Sequence, residues 1–286
     1  MAYPPRTVVF SCAGAPFSAE VLRAVHELDP ECLEGIGAVV LSRPPVRSRR
    51  KPASGERENR KGFLADTRLA LAYRARHLVR WSGRRARRAF RGLGLIPPGR
   101  WRYIEDFCEE RGLPVHHTRR PASRETLDFL AAHGPDLVLM MTFHHILREQ
   151  TLAVPKNGVF NVHCSLLPDF RGPDPIGDAL REGVNRTGVT LFRADTGVDT
   201  GEVIAQRTLD IEPDKRSPAR LRRGLARRAA APVAWLLRHG EPSCPLPPQE
   251  PSSPSDDGAR TREAQERTAG RTDHRMAATP PRSPGR

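Results

Sequence analysis

The chain has 286 residues, with 47 Lys and Arg against 33 Asp and Glu, and five cysteines that form no Cys-x-x-Cys pair. That length holds one large domain or two modest ones, and the scattered cysteines speak for reduced thiols and a cytoplasmic location rather than a disulfide framework. The longest strongly apolar run, Leu137 to Met141, is far too short to cross a bilayer, and the basicity is local: 18 Lys or Arg stand against 3 acidic residues between Arg47 and Arg102, a net +15 that leaves the rest near neutral.

Thr7 to Ser11 reads as a first buried strand, and Gly14 and Pro16 mark the loop after it. A helix pattern follows at once, so Val8 to Ala15 is a strand and its loop rather than a signal-peptide core. Ser18 is placed to cap that helix, whose Val21, Leu22, Val25 and Leu28 make an apolar stripe. Ile36 to Leu41 is a second strand, and the basic segment starts behind it. Its first part, Arg43 to Arg60, is rich in Pro, Ser, Gly and charge and is expected to be mobile. Further on, Leu64, Leu71, Ala75 and Leu78 fall at helical spacing, with Arg68, Arg74, Arg76 and Arg80 elsewhere around the helix. Two readings stay open for it: a solvated helix packed by its stripe, or a patch for the phosphates of nucleic acid or an anionic membrane surface.

Trp101 to Arg111 predicts a further helix, and Gly112 to Val115 leads into a third strand ending near His116. Ser123 caps a helix over Arg124 to His133 with Leu127 and Leu130 facing inward. Leu137 to Thr142 is a continuous apolar run, as expected for a central parallel strand covered on both faces. Strands alternating with helices predict an α/β fold with a doubly wound, mostly parallel sheet and helices on both faces. Ligands in such sheets sit at the carboxyl ends of strands.

Gly158, Val159 and Phe160 open a short strand that carries Asn161 and His163, two residues apart and therefore on one face. Pro168, Gly172, Pro173 and Pro175 then force a shaped loop. Thr187 to Thr190 begins another strand-like run through Phe192, followed by Asp195-Thr-Gly-Val-Asp199-Thr-Gly201, a glycine-punctuated loop with two carboxylates. Read singly, Asn-x-His is a satisfied polar pair and Asp199 a turn residue bonding its own backbone. Read jointly, they make an acyl-transfer set. Donors preplaced at a developing oxyanion contribute about 10²–10³ in rate each, and a carboxylate can take a proton from an attacking amine. Glu202 to Ile211 alternates as a strand, and Ser217 to Leu237 is a basic helix with Leu221, Leu225 and Trp235. Residues 241–286 are Pro-, Ser-, Thr- and Arg-rich and are expected to be a disordered tail.

Asn161-x-His163-x-Ser165-Leu-Leu-Pro168, Arg171-Gly172, Thr187-Gly-Val-Thr190 and Asp199-Thr-Gly201, in this order and spacing, resemble the folate-dependent formyltransferases. Members move a formyl group from 10-formyltetrahydrofolate to an amine. The resemblance covers about residues 6–240 and is interrupted by the basic insertion near 46–102. It implies a Rossmann-like catalytic domain in which Asn161, His163 and Asp199 are the catalytic trio. It also implies that Phe143, Ile146 and Leu147 line the folate pocket, and that Ser165, Leu166, Leu167, Pro168, Arg171 and Gly172 form the substrate loop. Cys164 departs from the family, standing where many members have proline, and His144 and His145 lie where members vary. No third ligand at suitable spacing joins that His pair, so no metal is expected. The loop Gly14-Ala-Pro-Phe17 is similar to that of the transfer-RNA-directed members and lacks the phosphate loop of the purine-pathway members, so no ribonucleotide phosphate is expected.

Three readings of the acceptor follow. The first is a small amine, such as an amino sugar or an amino-acid derivative. The second is methionyl-transfer RNA, reached through the basic insertion. The third is a non-catalytic nucleic-acid or surface binder on the same fold. Transfer-RNA enzymes carry a second, β-rich domain of about a hundred residues, whereas 47 residues without strand patterning follow His239 here. That favours the small amine. The basic segment, standing where those enzymes carry a basic loop, pulls the other way.

Overall fold

The computed structural model describes residues 4–42, 97 and 99–240; the mobile segment, the insertion helix and the tail expected from the sequence lie outside the described residues. In chain order the elements are β1 (Thr7–Cys12), α1 (Pro16–Leu28), β2 (Ile36–Ser42), α2 (Ile104–Arg111), β3 (Val115–Thr118), α3 (Arg124–His133), β4 (Leu137–Met141), α4 (Glu149–Leu152), β5 (Val159–His163), α5 (Pro175–Glu182), β6 (Arg186–Arg193), β7 (Val203–Asp210) and α6 (Pro218–His239). The strands form one sheet in the order β3-β2-β1-β4-β5-β6-β7. β1 to β5 run parallel, and β6 and β7 continue the sheet antiparallel.

Every residue of β1, β4 and β5 is buried, because helices cover the sheet on both faces. Side-chain alternation divides the core. Val9, Leu139, Phe160 and Val162 pack on one face with Phe17, Val21 and Leu22 of α1 and Leu225 and Val233 of α6. Val8, Phe10, Val138, Met140 and Val159 pack on the other with Leu130 of α3 and Leu147. Leu130 is fully buried while Leu127 is only partly so, and Thr126, just before Leu127, is buried, donating to Thr118 Oγ1 at 2.9 Å. Ser123 caps α3 through Thr126 N–H.

Two helix starts differ from the sequence reading. α1 begins at Pro16, whose fixed φ suits the first helical position, and Ala15 before it offers no side-chain cap. Ser18 is instead buried inside the first turn, its Oγ 2.7 Å from Ser11 Oγ and 3.0 Å from Thr142 Oγ1, so it ties α1 to the ends of β1 and β4. α2 begins at Ile104, after Trp101 has turned inward edge-on to Phe107 at 4.8 Å. Asp106 Oδ2 accepts the N–H groups of Arg102 (2.7 Å) and Tyr103 (3.1 Å) and so satisfies donors at the turn into that helix. Among the described residues no helix is long and apolar enough to cross a membrane.

The chain enters β1 and β4 side by side through Asp136, which accepts from Lys156 Nζ at 2.8 Å and from Arg6 N–H at 2.8 Å. These bonds, that of Lys156 foremost, hold its carboxyl below the usual carboxylate range. A lowered folded-state pKa contributes stability that is present above the ordinary aspartate pKa and is lost as pH falls through the folded value. Asp136→Asn is therefore expected to lower the urea midpoint at neutral pH, and the gap to the parent protein should close in strong acid. A gap that stays constant with pH would show that the charge of Asp136 is not what stabilises this corner.

Candidate active site

A cavity of about 590 Å³ lies at the carboxyl ends of the central parallel strands. It is where an open α/β sheet offers a crevice. Its walls differ. On the α3 face stand Phe143, His145, Leu147 and Ala194; on the α1 and α6 face stand Phe17, Cys164, Ile176 and Arg222. Ile146 also lines the cavity but is 60% exposed, whereas Leu147 is 3% exposed and packs into the core.

Asn161 and His163 occupy alternate positions of β5, with Phe160 and Val162 committed to the opposite face of the sheet. Both line the cavity, Asn161 9% and His163 6% exposed. No described residue hydrogen-bonds the Asn161 amide group, so its two N–H donors are available at the cavity. One ring nitrogen of His163 is hydrogen-bonded and the other faces Asp199. Nε2 lies 2.9 Å from the Phe170 carbonyl, which can only accept, so Nε2 carries a hydrogen; Nδ1 lies 3.6 Å from Asp199 Oδ2.

Asp199 reaches this position through an uncommon backbone conformation, with φ +51°. The loop is built to hold it. Asp195 Oδ1 accepts from Gly197 N–H at 2.9 Å and from Thr200 Oγ1 at 2.8 Å, closing the turn around Asp199. Gly172 N–H donates to Asp199 Oδ2 at 2.9 Å, joining this loop to the one after β5.

Of the six residues assigned to a substrate loop, Gly172 lines the cavity; Ser165, Leu166, Leu167, Pro168 and Arg171 do not. The buried Ser165 donates to Asp169 O at 2.6 Å, and Thr190 Oγ1 donates to Ser165 O and accepts from Leu167 N–H. Gln206 Nε2 donates to Leu167 O at 2.8 Å. The Ser-Leu-Leu-Pro run is thus pinned to β6 and β7, and it shapes the loop from beneath. Gly188 fits the same arrangement, since a Cβ there would stand 2.7 Å from Leu166 Cγ and overlap the Arg207 carbonyl oxygen. This gives the Thr187-Gly-Val-Thr190 motif its physical sense.

Burial pushes the Cys164 thiol up to about 12, so it is a neutral thiol and a poor nucleophile near pH 7. Burial, with the neighbouring His144 charge, lowers the pKa of His145, whose ring meets Phe143 at 5.5 Å and whose Nε2 has no partner among the described residues. Among the described residues no group of three His, Cys, Asp or Glu could hold a metal ion. One cavity feature escaped the sequence reading. Arg222 of α6 lines the cavity, and its Nε and Nη2 donate to Glu20 of α1 at 3.0 and 3.1 Å. Arg222 is one of many arginines along α6, and no local pattern distinguishes it.

The family model described as formyl transferase matches residues 104–232. The methionyl-tRNA formyltransferase of Halorhodospira halophila is 40% identical over 129 residues, covering 45% of this chain and 40% of that protein. That of Geobacter metallireducens is 35% identical over 125 residues, covering 44% and 39%. The chain thus spans about two-fifths of the length of the curated relatives it matches. Among solved structures, the phosphoribosylglycinamide formyltransferase of Bacillus halodurans aligns with a TM-score of 0.53 at 18% identity, covering 82% of this chain and 97% of that one. A formyltetrahydrofolate deformylase from Pseudomonas syringae aligns at 0.52 and 18%, covering 82% and 62%. These two likenesses speak for the fold, a mixed and mostly parallel seven-stranded sheet. The match takes in β5, β6 and the loop of Asp199, so Asn161, His163 and Asp199 lie within a formyl transferase domain.

Proposed function

We propose that this protein transfers a formyl group from 10-formyltetrahydrofolate to the primary amine of a small acceptor. The observation that carries the reading is the meeting of Asn161, His163 and Asp199 at one cavity, with the Asn161 donors unengaged and His163 Nδ1 3.6 Å from Asp199. Phe143 and Leu147, beside the half-open Ile146, offer an apolar wall for the flat ring system of the donor.

The chemistry asks for two things. When the amine nitrogen bonds to the formyl carbon, the carbonyl electron pair moves to oxygen, and the Asn161 N–H groups stabilise the charge that develops there. The amine must lose a proton and the departing folate nitrogen must gain one as its bond to carbon breaks. Asp199 is the group to carry that proton, directly or through water. His163, with Nε2 committed to Phe170, presents Nδ1 to share the proton with Asp199. The products are the formamide and tetrahydrofolate.

One specific observation favours a second acceptor. The curated relatives matched at 35 and 40% identity are methionyl-tRNA formyltransferases. The test is formyl transfer from 10-formyltetrahydrofolate to a panel of small amines with initiator methionyl-transfer RNA included, followed as release of tetrahydrofolate and by mass of the product. Saturable transfer to a small amine is the expected result. Transfer to the charged RNA alone would replace the small acceptor with the RNA, and absence of transfer to every acceptor would end the reading.

A further inference from the structure

The two walls of the cavity differ in what they can recognise. The α3 wall is mainly apolar, whereas on the α1 and α6 wall Arg222 stands with Cys164 and Ile176. Arg222 donates side-on to Glu20, Nε to Oε2 at 3.0 Å and Nη2 to Oε1 at 3.1 Å. A guanidinium carries five N–H groups in a rigid plane. The pair with Glu20 uses two of them, one on Nε and one on Nη2. The other three, two on Nη1 and one on Nη2, have no partner among the described residues and form an edge of the fork geometry that matches an oxyanion. The pair also fixes the plane. Glu20 is only 11% exposed at its side chain, and its bond to Arg222 bridges α1 and α6, so the guanidinium is oriented before any ligand arrives.

We propose that the open edge of Arg222 is the oxyanion receptor of the acceptor side, so that the acceptor is a primary amine bearing a carboxylate or a phosphate. This rests on the formyl-transfer reading for the word acceptor, but the receptor itself is a property of Arg222 and Glu20. Such a ligand lays its anionic group on Arg222 and leaves its amine to reach toward Asn161, which lines the same cavity. Glu20 is a positioning residue in this arrangement. It balances the charge of Arg222 when the cavity is empty, and it denies the guanidinium any other plane.

The experiment measures binding to the full chain without donor, by ligand-observed NMR titration. Alanine and leucine are compared with their carboxamides, which keep the amine and lose the negative charge, and aminomethylphosphonate serves as the phosphate arm. At least one anionic probe is expected to bind about ten- to a hundredfold more tightly than the carboxamides, the range for a charge-assisted hydrogen-bonded contact. Which anion wins tells carboxylate from phosphate. Arg222→Gln should bring the ratio close to one. Arg222→Lys, which keeps a point charge against Glu20 but loses the fork, should reduce it, and this variant carries the test if the glutamine variant unfolds. Equal binding of acids and carboxamides, discrimination that survives both substitutions, or no binding of any anionic probe would each overturn the proposal. The formyl-transfer reading fails separately, since Asn161→Ala should keep the discrimination and lose the transfer.

Discussion

Replacing Asn161 by alanine is expected to lower kcat for formyl transfer by about 10²–10³, the usual cost of deleting one preplaced oxyanion donor, while the dissociation constant of the folate donor stays within about threefold. The side chain sits on a strand buried on both faces, and no described residue leans on its amide for a hydrogen bond. Removing it therefore takes away a donor to the ligand and leaves no internal group unpaired. Asp199→Asn is expected to cost at least as much, about 10²–10⁴, because a carboxamide still accepts the Gly172 N–H but cannot take up the proton of the amine or face His163 with a charge. The two effects should not multiply fully, since the oxyanion donor and the proton carrier serve one transition state. A fall in affinity alone, with kcat kept, would assign Asn161 to ground-state binding and remove it from the mechanism.

Gly201→Ala is expected to cost about 3 kcal/mol of stability, because the methyl group overlaps backbone that cannot yield. A Cβ at this position falls inside contact distance of the Arg193 carbonyl oxygen and lies 3.2 Å from the Phe192 ring. Arg193 is itself paired through its N–H to Glu202 O at 2.8 Å, where β7 starts against β6. Relief requires the segment from Asp199 to Glu202 to move away from β6, which also draws Asp199 from Gly172 and His163. Thermal unfolding should show a Tm lower by roughly 10 °C, together with a loss of transfer activity larger than the unfolded fraction explains. Gly37→Ala is the control: a Cβ there meets nothing within 4 Å, so its Tm should stay close to the parent value. Equal behaviour of the two variants would show that the close approach at Gly201 is not real in solution.

Much of the architecture was written in local patterns. Leu137 to Met141 lies in the middle of the sheet because an unbroken apolar run suits a strand covered twice, and Ser123 stands before α3 because its hydroxyl satisfies a free N–H of the first turn. Asn161 and His163 share a face for the reason visible in their spacing, since side chains alternate along any extended backbone. The antiparallel direction of β6 and β7 is different, because alternation looks the same whichever way a strand runs.

Neighbours in the chain can specify where strands and helices fall, which residues face the same way, and the family pattern around Asn161. Which groups meet across long separations was settled by the packed fold. It turned Ser18 from a cap into a tie between α1, β1 and β4, drew Ser165 to Pro168 beneath the loop instead of into the cavity, and gave His163 Nε2 to the Phe170 carbonyl. It also brought Arg222 to Glu20, 202 positions away. Periodicity records which face of an element is apolar but not which polar group on another element will stand opposite it. That depends on how α1 and α6 dock on the same face of the sheet, a matter of packing summed over the whole core.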